Sequence, residues 1–347
     1  MVSSVTSAKR KNTPCDSRIF GYFTWIVPSS SPIPGISRIW AGRLSWVPGS
    51  LASALLSVLI VNWNTRSHLE ICLKSLRAHP PQEPMEIIVV DNASTDGSAE
   101  MVARDFPEVQ LIQPGFNTGY AAGNNLAFAV AQGEWLLTLN PDTELRPGVL
   151  QGAIDALRAQ PKFGVLSVPF QLPSGDIQAS VRGFPSFWGI VGQFTGLARR
   201  SPHGALGSYL LPAFDYAASG PAPQPMGTFL LFRREALAAI GDVKAPFDEN
   251  FPIFFNEVDL LYRLAQAGWP AWYQAGLTIA HHHGASTRQV RPSMIWESHR
   301  SLLRYFSKHT RGFARLGLPL LAILVGLAAF VRARGYHAGF RTQRHHL

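Results

Sequence analysis

The side chains able to do chemistry fall in three short runs. Leu139-Asn140-Pro141-Asp142-Thr143 delivers one carboxylate, Asp142, from the end of an apolar stretch, with Glu144 just beyond. A bare carboxylate would repel a diphosphate, and the two become compatible when a divalent cation bridges them through oxygen ligands and water. Asn-Pro-Asp is also the composition of an ordinary turn. Asn256-Glu257-Val258-Asp259-Leu260 follows the aromatic run Phe251-Pro252-Ile253-Phe254-Phe255. On a helix, carboxylates two apart lie about 200° around the axis, so only one of Glu257 and Asp259 addresses a given site. Glu257, beside Phe254 and Phe255, is placed to be partly desolvated and to act as a general base. Asp259 could instead stabilise the helix N-terminus. His281-His282-His283 offers imidazoles for a metal, but neighbouring histidines point apart, so at most one or two share a site.

Two further polar runs could hold a ligand. In Val90-Asp91-Asn92-Ala93-Ser94-Thr95-Asp96-Gly97-Ser98, a carboxylate at a strand tip can accept hydrogen bonds from a base edge or a ribose hydroxyl. Asp91 has that position, and capping of the next helix suits Asp96 or Ser94. In Asn117-Thr118-Gly119-Tyr120-Ala121-Ala122-Gly123-Asn124-Asn125, small residues let backbone approach a ligand while Asn side chains donate and accept. Tight helix–sheet packing would use the same small residues.

The elements that must position these groups read as strands alternating with helices. Leu56–Val61 is a continuous apolar run suited to a buried parallel strand, and Leu69, Leu73 and Leu76 then recur at helical spacing. Glu86–Val90, Val109–Ile112 and Trp135–Leu139 read as further strands, with helices near Met101 and over Tyr120–Gln132. That alternation indicates an α/β fold around a mostly parallel sheet, whose ligand lies at the carboxyl ends of the strands. Asn62, Asn64, Asp91 and Asp142 all fall at those ends. Residues 151–225 are rich in Gly, Pro and aromatics and show little period beyond a helix at Gln151–Arg158 and a strand at Val165–Pro169. Pattern returns with strands at Gly227–Arg233 and Ala271–Tyr273, and helices at Arg234–Ile240, Glu257–Ala267 and Glu297–Phe306.

The chain has 347 residues, 46% hydrophobic and 15% charged, which excludes disorder over most of its length. Its two cysteines, Cys15 and Cys72, exclude a disulfide scaffold and a Cys-based zinc module. GxGxxG after the first strand, GxxxxGK[ST] and GxSxG are all absent, so no glycine-rich phosphate cradle is expected. The net charge of +9 is unevenly spread: +5 over residues 1–50, −6 over 51–283 and +10 over 284–347. An acidic body between basic ends argues against nucleic acid as the partner. Residues 1–54, broken by Pro14, Pro28, Pro32, Pro34 and Pro48, read as an irregular extension in which the basic Lys9-Arg10-Lys11 and apolar Ile19–Val27 only loosely resemble a secretory signal. Leu316–Val331 gives sixteen residues without a charge. With Arg304, Lys308, Arg311, Arg315, Arg332 and Arg334 around it, it reads as a shallow membrane anchor on anionic lipid, with a buried core helix as the alternative.

Taken in order, Val58–Asn64, Val90–Ser98, Asn117–Asn125, Asn140-Pro141-Asp142-Thr143, Gly227–Glu235 and Glu257-Val258-Asp259-Leu260 resemble the motifs of family 2 glycosyltransferases. The likeness is to the bacterial rhamnosyltransferase-like branch that builds cell-surface polysaccharides, and it runs from about residue 55 to 310. The resemblance implies a GT-A fold with a nucleotide-sugar half at 55–150, an acceptor half at 151–310 and a membrane-associating segment at 311–347. It implies that Asp91 contacts the nucleobase of the donor, with Asn62, Asn64, Asn117, Gly119, Tyr120, Gly123 and Asn124 lining the donor site. It implies that Asp142 and His281 hold Mg²⁺ or Mn²⁺, that Glu257 deprotonates an acceptor hydroxyl, and that Gly227 and Asp259 meet a glycan or lipid-linked acceptor. The implied reaction is a single displacement that inverts the anomeric carbon, at the inner face of the cell membrane.

The chain departs from the family at three places. Asn256-Glu257 stands where Glu-Asp is usual, Asn140 where the metal motif often has Asp, and His283 where Gly is usual. No QxxRW follows Glu257, which implies addition of one or a few sugars without chain extrusion. The first two departures motivate a catalytically inactive nucleotide- or glycan-binding subunit as an alternative. A sugar-phosphate nucleotidyltransferase would normally carry a Gly-rich, basic loop after the first strand, where this chain has Asn62-Trp63-Asn64-Thr65.

Overall fold

The computed structural model describes residues 55–282 and 294–331, and the backbone alone of 291–293, 332–333 and 344–345. The expectations for residues 1–54, for His283 and for Arg334 lie outside the described residues.

The apolar run after residue 55 forms β1 (Leu56–Asn62), in which every residue is buried. It pairs in parallel with β2 (Met85–Asp91), so that Asn62 stands directly beside Asp91, and in parallel with β4 (Trp135–Leu139). β3 (Gln110–Ile112) adds to β2 at the edge. The crossovers are α1 (Arg66–Ala78), α2 (Ser98–Asp105) and α3 (Gly119–Val130). The period of two along β1 divides the core: Val58 and Ile60 pack with Leu69, Leu73 and Ile154, whereas Leu59 and Val61 pack with Phe128, Leu260 and Leu264. A β-strand buried on both faces must read as continuously apolar, as this one does.

Beyond β4 the sheet becomes mixed. After β5 (Thr143–Glu144) and α4 (Val149–Arg158) come four short strands. These are β6 (Val165–Ser167), β7 (Phe170–Gln171), β8 (Ile177–Gln178) and β9 (Val181–Arg182). Then follow α5 (Phe187–Thr195), β10 (Gly220–Pro221), β11 (Gln224–Pro225) and β12 (Phe229–Arg233). β12 inserts antiparallel between β4 and β6, with Phe229 opposite Leu139. Its amino end therefore arrives at the edge where β1, β2 and β4 finish. The parallel arrangement expected from the sequence holds for β3-β2-β1-β4, and the other half of the sheet is mixed.

Next come α6 (Arg234–Ala238), α7 (Asn256–Gln266), β13 (Ala271–Tyr273) and β14 (Ile279–His281). β14 lies in a second sheet with β5, β7 and β8, where His281 pairs with Thr143. The chain then forms α8 (Arg291–His309), longer than the helix the sequence pattern marks, and α9 (Leu318–Ala333) after a 3₁₀ segment at Gly312–Gly317. α9 turns Leu321, Val325 and Ala329 inward, and the first two pack with Leu302 and Phe306 of α8 and Ile190 of α5. Leu316, Leu320, Ile323, Leu327 and Phe330 remain exposed. Gly312–Val331 is the one described helical stretch long and apolar enough to cross a membrane.

Candidate active site

The polar ends of β1 and β2 form one bonded unit. Asn62, fully buried, donates from Nδ2 to Asp91 Oδ1 at 2.8 Å and accepts from Thr65 Oγ1 at 2.6 Å. Asp91 also accepts from the Ser94 amide at 2.9 Å and the Ser94 hydroxyl at 2.7 Å. Asn64 has φ +50° and receives the Thr95 amide at 2.8 Å, fixing the turn after β1 against the turn after β2. Asp96 accepts from Ser98 N at 3.1 Å at the start of α2 and from Arg66 N at 2.8 Å at the start of α1. It therefore caps, as the sequence suggests. An open cavity of about 530 Å³ lies beside this unit, lined by Asn64, Arg66, His68, Glu70 and Asp96 among others.

The run 117–125 divides differently. Asn117 accepts from the Gly119 amide at 2.9 Å at the start of α3. Gly119 has φ +82°, and a Cβ there would meet Pro252 O at 2.9 Å, so the glycine is required. Two expectations are corrected. A Cβ at Gly123 would strike Val61 Cγ1 at 2.9 Å, so this glycine packs α3 onto β1 and is not open to a donor. Asn124, buried, donates to the Tyr120 carbonyl one turn back at 2.9 Å, which turns its amide into its own helix. The Tyr120 hydroxyl reaches Gly227 O at 3.2 Å and Asn140 Oδ1 at 3.3 Å, and donates to one of them at a time.

The acid-bearing turn and the late strand meet. Asp142, nearly buried, lies 3.5 Å from His281 Nε2, and the His282 amide donates to the Asp142 carbonyl at 2.9 Å. On its other side, His281 Nδ1 lies 2.7 Å from Gln178 Oε1, while Gln178 Nε2 faces Met226 Sδ at 3.7 Å. With the amide oriented this way, Nδ1 donates and Nε2 faces the Asp142 carboxylate; with Nε2 unprotonated, the pair could hold a cation between them. Among the described residues no group of three or more His, Cys, Asp or Glu converges. Such a cation would therefore draw its remaining ligands from diphosphate and water. His282 points elsewhere, with its ring 5.6 Å from that of His68. Asn140 turns to Tyr120 and does not join the pair. Gln178 lies in the stretch without readable period, and nothing in the sequence marks it.

Glu257 opens α7 on the far side of Gly227. A Cβ at Gly227 would lie 3.4 Å from both Cβ and Cγ of Glu257, so the missing side chain leaves room for the acid. Burial pushes the Glu257 carboxyl up to about 7, from an ordinary 4.5, although its own backbone amide lowers it. Burial, and then the charge of Glu257, hold the Tyr120 phenol well above its usual range. Asn256, where the family has an acid, is fully buried and accepts the Glu257 amide at 2.7 Å.

Asp259 is a further correction. Its side chain is completely buried on the opposite face of α7 and bonds Arg263 Nε at 2.8 Å, His309 Nε2 at 2.7 Å and Lys308 Nζ at 2.7 Å. Burial alone would raise its carboxyl, but His309, Lys308 and Arg263 outweigh that and hold it down to about 2. It ties α7 to α8 and cannot meet an acceptor.

Comparison with known proteins bears on the family and the fold. Residues 57–208 match the family model Glycosyl transferase family 2. The chain is 28% identical over 284 residues to the N-acetylglucosaminyl-diphospho-decaprenol L-rhamnosyltransferase of Mycobacterium tuberculosis, covering 76% of this chain and 88% of that protein. It is 25% identical over 235 residues to the O-antigen biosynthesis protein RfbC of Myxococcus xanthus, covering 63% of this chain but only 16% of that protein. In fold it is similar to the mannosyltransferase PcManGT from Pyrobaculum calidifontis, solved in complex with GDP-Man and Mn²⁺ (TM-score 0.50, 19% identity, 82% of this chain and 76% of that one). Residues 57–208 carry a family 2 glycosyltransferase domain, the fold is GT-A-like, and the sequence is similar to that of a rhamnosyltransferase.

Proposed function

We propose that this glycosyltransferase moves a sugar, with L-rhamnose the first candidate, from a nucleotide donor to a lipid-linked or cell-surface glycan acceptor, with inversion at the anomeric carbon. The observation that carries the reading is the Glu257 carboxyl, raised to about 7 and facing the side-chain-free Gly227. A base with that affinity for a proton is half ionised near neutrality and can still accept one from an acceptor hydroxyl. Glu257 takes that proton as the hydroxyl oxygen forms its bond to the anomeric carbon. The bond from that carbon to the diphosphate oxygen breaks, and its electron pair leaves with the nucleoside diphosphate.

Asp142 and His281 would hold Mg²⁺ or Mn²⁺, with Gln178 orienting the imidazole. A divalent cation at that point would neutralise charge growing on the leaving diphosphate. Asn62, Asn64 and Asp91 hold the turns that face the nucleoside, with Asn117 and Gly119 setting the start of α3. Gly227 leaves space for the acceptor, and Tyr120 closes the floor between it and Asn140. The name of the mycobacterial relative motivates a polyprenyl-diphosphate acceptor. An acceptor of that kind sits in a membrane, which suits the exposed apolar residues of α9 beside the exposed Arg311 and Arg315. On this reading the protein works at the cytoplasmic face of the cell membrane and has no nucleic-acid partner.

The test is nucleoside diphosphate release from a panel of nucleotide sugars, with Mn²⁺ and a short-chain polyprenyl-diphosphate N-acetylglucosamine acceptor, for wild type and Glu257→Gln. Loss of turnover in the variant with donor affinity kept is expected. Equal activity of the two proteins would remove Glu257 from the role of base.

A further inference from the structure

The side of α7 that turns away from Glu257 is as closely specified as the side that carries it. Asp259, with no exposed side-chain surface, is surrounded by Arg263 of its own helix and by Lys308 and His309 from the last turn of α8. Arg263 also donates to the Pro246 carbonyl at 2.5 Å, and Lys308 to Asp248 Oδ2 at 2.6 Å, so the loop leading into α7 is held by the same group. The His309 ring packs 4.5 Å from Tyr262 and 4.8 Å from Tyr305. One residue before α7, Phe255 has φ +64°, a left-handed conformation that a bulky residue keeps only where the surroundings impose it. Its ring stands 6.0 Å from Tyr305 of α8, among Ile190, Leu302, Phe306 and Leu321.

Two attachments to α8 therefore bracket Glu257, one two residues before it and one two residues after. Asp259 lies off the reacting face, because residues two apart project about 200° apart around a helix, and Phe255 precedes the helix and turns into the α8 cluster. A helix with its side chains is about 10–12 Å across, so a 20° roll of α7 would carry the acid roughly 2 Å sideways. Misplacement of a reacting group by about 1 Å can cost about 10²-fold in rate. Loss of His309 would leave Asp259 with Arg263 and Lys308 alone, and a buried carboxylate that loses a partner favours rearrangement of the contact.

We infer that His309 and Asp259 are positioning residues for the transfer reaction, and that α8 sets the aim of Glu257 by fixing the roll of α7 through the Asp259–His309 bond and the Phe255–Tyr305 contact. This rests on Glu257 being the base. The C-terminal helices are on this account part of the catalytic frame. The relation also gives α9 a route to the site, since Leu321 shares a cluster with Phe255.

The test uses the full-length protein with three variants, His309→Ala, His309→Gln and Glu257→Gln, comparing kcat, the KM for the nucleotide sugar and the melting temperature. Gln places an amide N–H where His presents Nε2–H, so it keeps the bond to Asp259. The expected result is a fall in kcat of at least tenfold in His309→Ala, with KM for the donor within about twofold of wild type, and recovery of most of that loss in His309→Gln. Wild-type kcat in His309→Ala would overturn the inference. So would equal losses in the Ala and Gln variants, or a parallel loss of donor affinity, either of which marks a purely structural role. If Glu257→Gln itself keeps full activity, the reading of the base has failed. If Glu257→Gln is inactive and His309→Ala is not, only the positioning role has failed.

Discussion

His281 presents Nε2 to Asp142 Oδ1 across 3.5 Å while Gln178 holds its other nitrogen at 2.7 Å. The imidazole is thus fixed in direction before any donor arrives. Gln178→Leu, which keeps the bulk and removes the acceptor, should weaken Mn²⁺ binding in the presence of nucleoside diphosphate by about 10–100-fold. Asp142→Asn should weaken it further. Calorimetric titration of Mn²⁺ into the protein–diphosphate mixture reads both, and unchanged affinity in the two variants would dismiss the pair as a metal site.

The Glu257 carboxyl governs the pH response. Since the base must be ionised and its value is raised to about 7, kcat should rise with pH through 7 and fall about tenfold per unit well below it. Stability should run the other way. Between 4.5 and 7 the unfolded chain loses this proton while the folded chain keeps it, so Glu257 contributes less to stability as pH rises across that window. Glu257→Gln should therefore raise the melting temperature at pH 8 and leave it nearly unchanged at pH 4.5. A scan at the two pH values decides the matter.

Gly227 should tolerate little. A single methyl lies at ordinary contact with the Glu257 side chain, so Gly227→Ala should keep most activity. Gly227→Val has no such room, and the acid must move. A loss of at least tenfold in kcat, with donor KM held, is expected in steady-state assays.

The outward face of α9 can be altered without touching its contacts with α8. Replacing Ile323 and Leu327, both exposed, by Ser should reduce co-sedimentation with vesicles containing phosphatidylglycerol, since each buried aliphatic side chain contributes about 1.5–3 kcal/mol. The melting temperature should stay within a degree or two. Binding should also weaken as salt rises, because Arg311 and Arg315 supply the electrostatic share. Vesicle binding indifferent to both changes would end the case for this face.

Much of the β1–β2 side of the sheet was legible in the residues themselves. β1 and β2 are buried on both faces, so their apolar runs are unbroken, and a polar residue at the tip of each is conspicuous. Asp142 and Glu257 stood out for the same reason, each a carboxylate closing or following an apolar run. Asp259 did not read correctly, because its partners Lys308 and His309 are about fifty residues away and no local pattern records a tertiary ion pair. Gly123 and Asn124 were ambiguous from the start, since small residues serve close packing and ligand approach alike. Gln178 was invisible: β8 is two residues long, too short for any period, and its value comes only from lying against β14.

The insertion of β12 between β4 and β6 bears on how the protein is made. While the chain emerges, β4 has β1 on one side and nothing on the other until Phe229, ninety residues after Leu139, can reach it. At about 5–20 residues per second, that edge stays open for roughly 5–20 s. An unpaired apolar strand edge is a template for pairing with another chain. Production at low temperature, or with a chaperone that shields strand edges, should therefore raise the soluble yield more than any change to the finished surface.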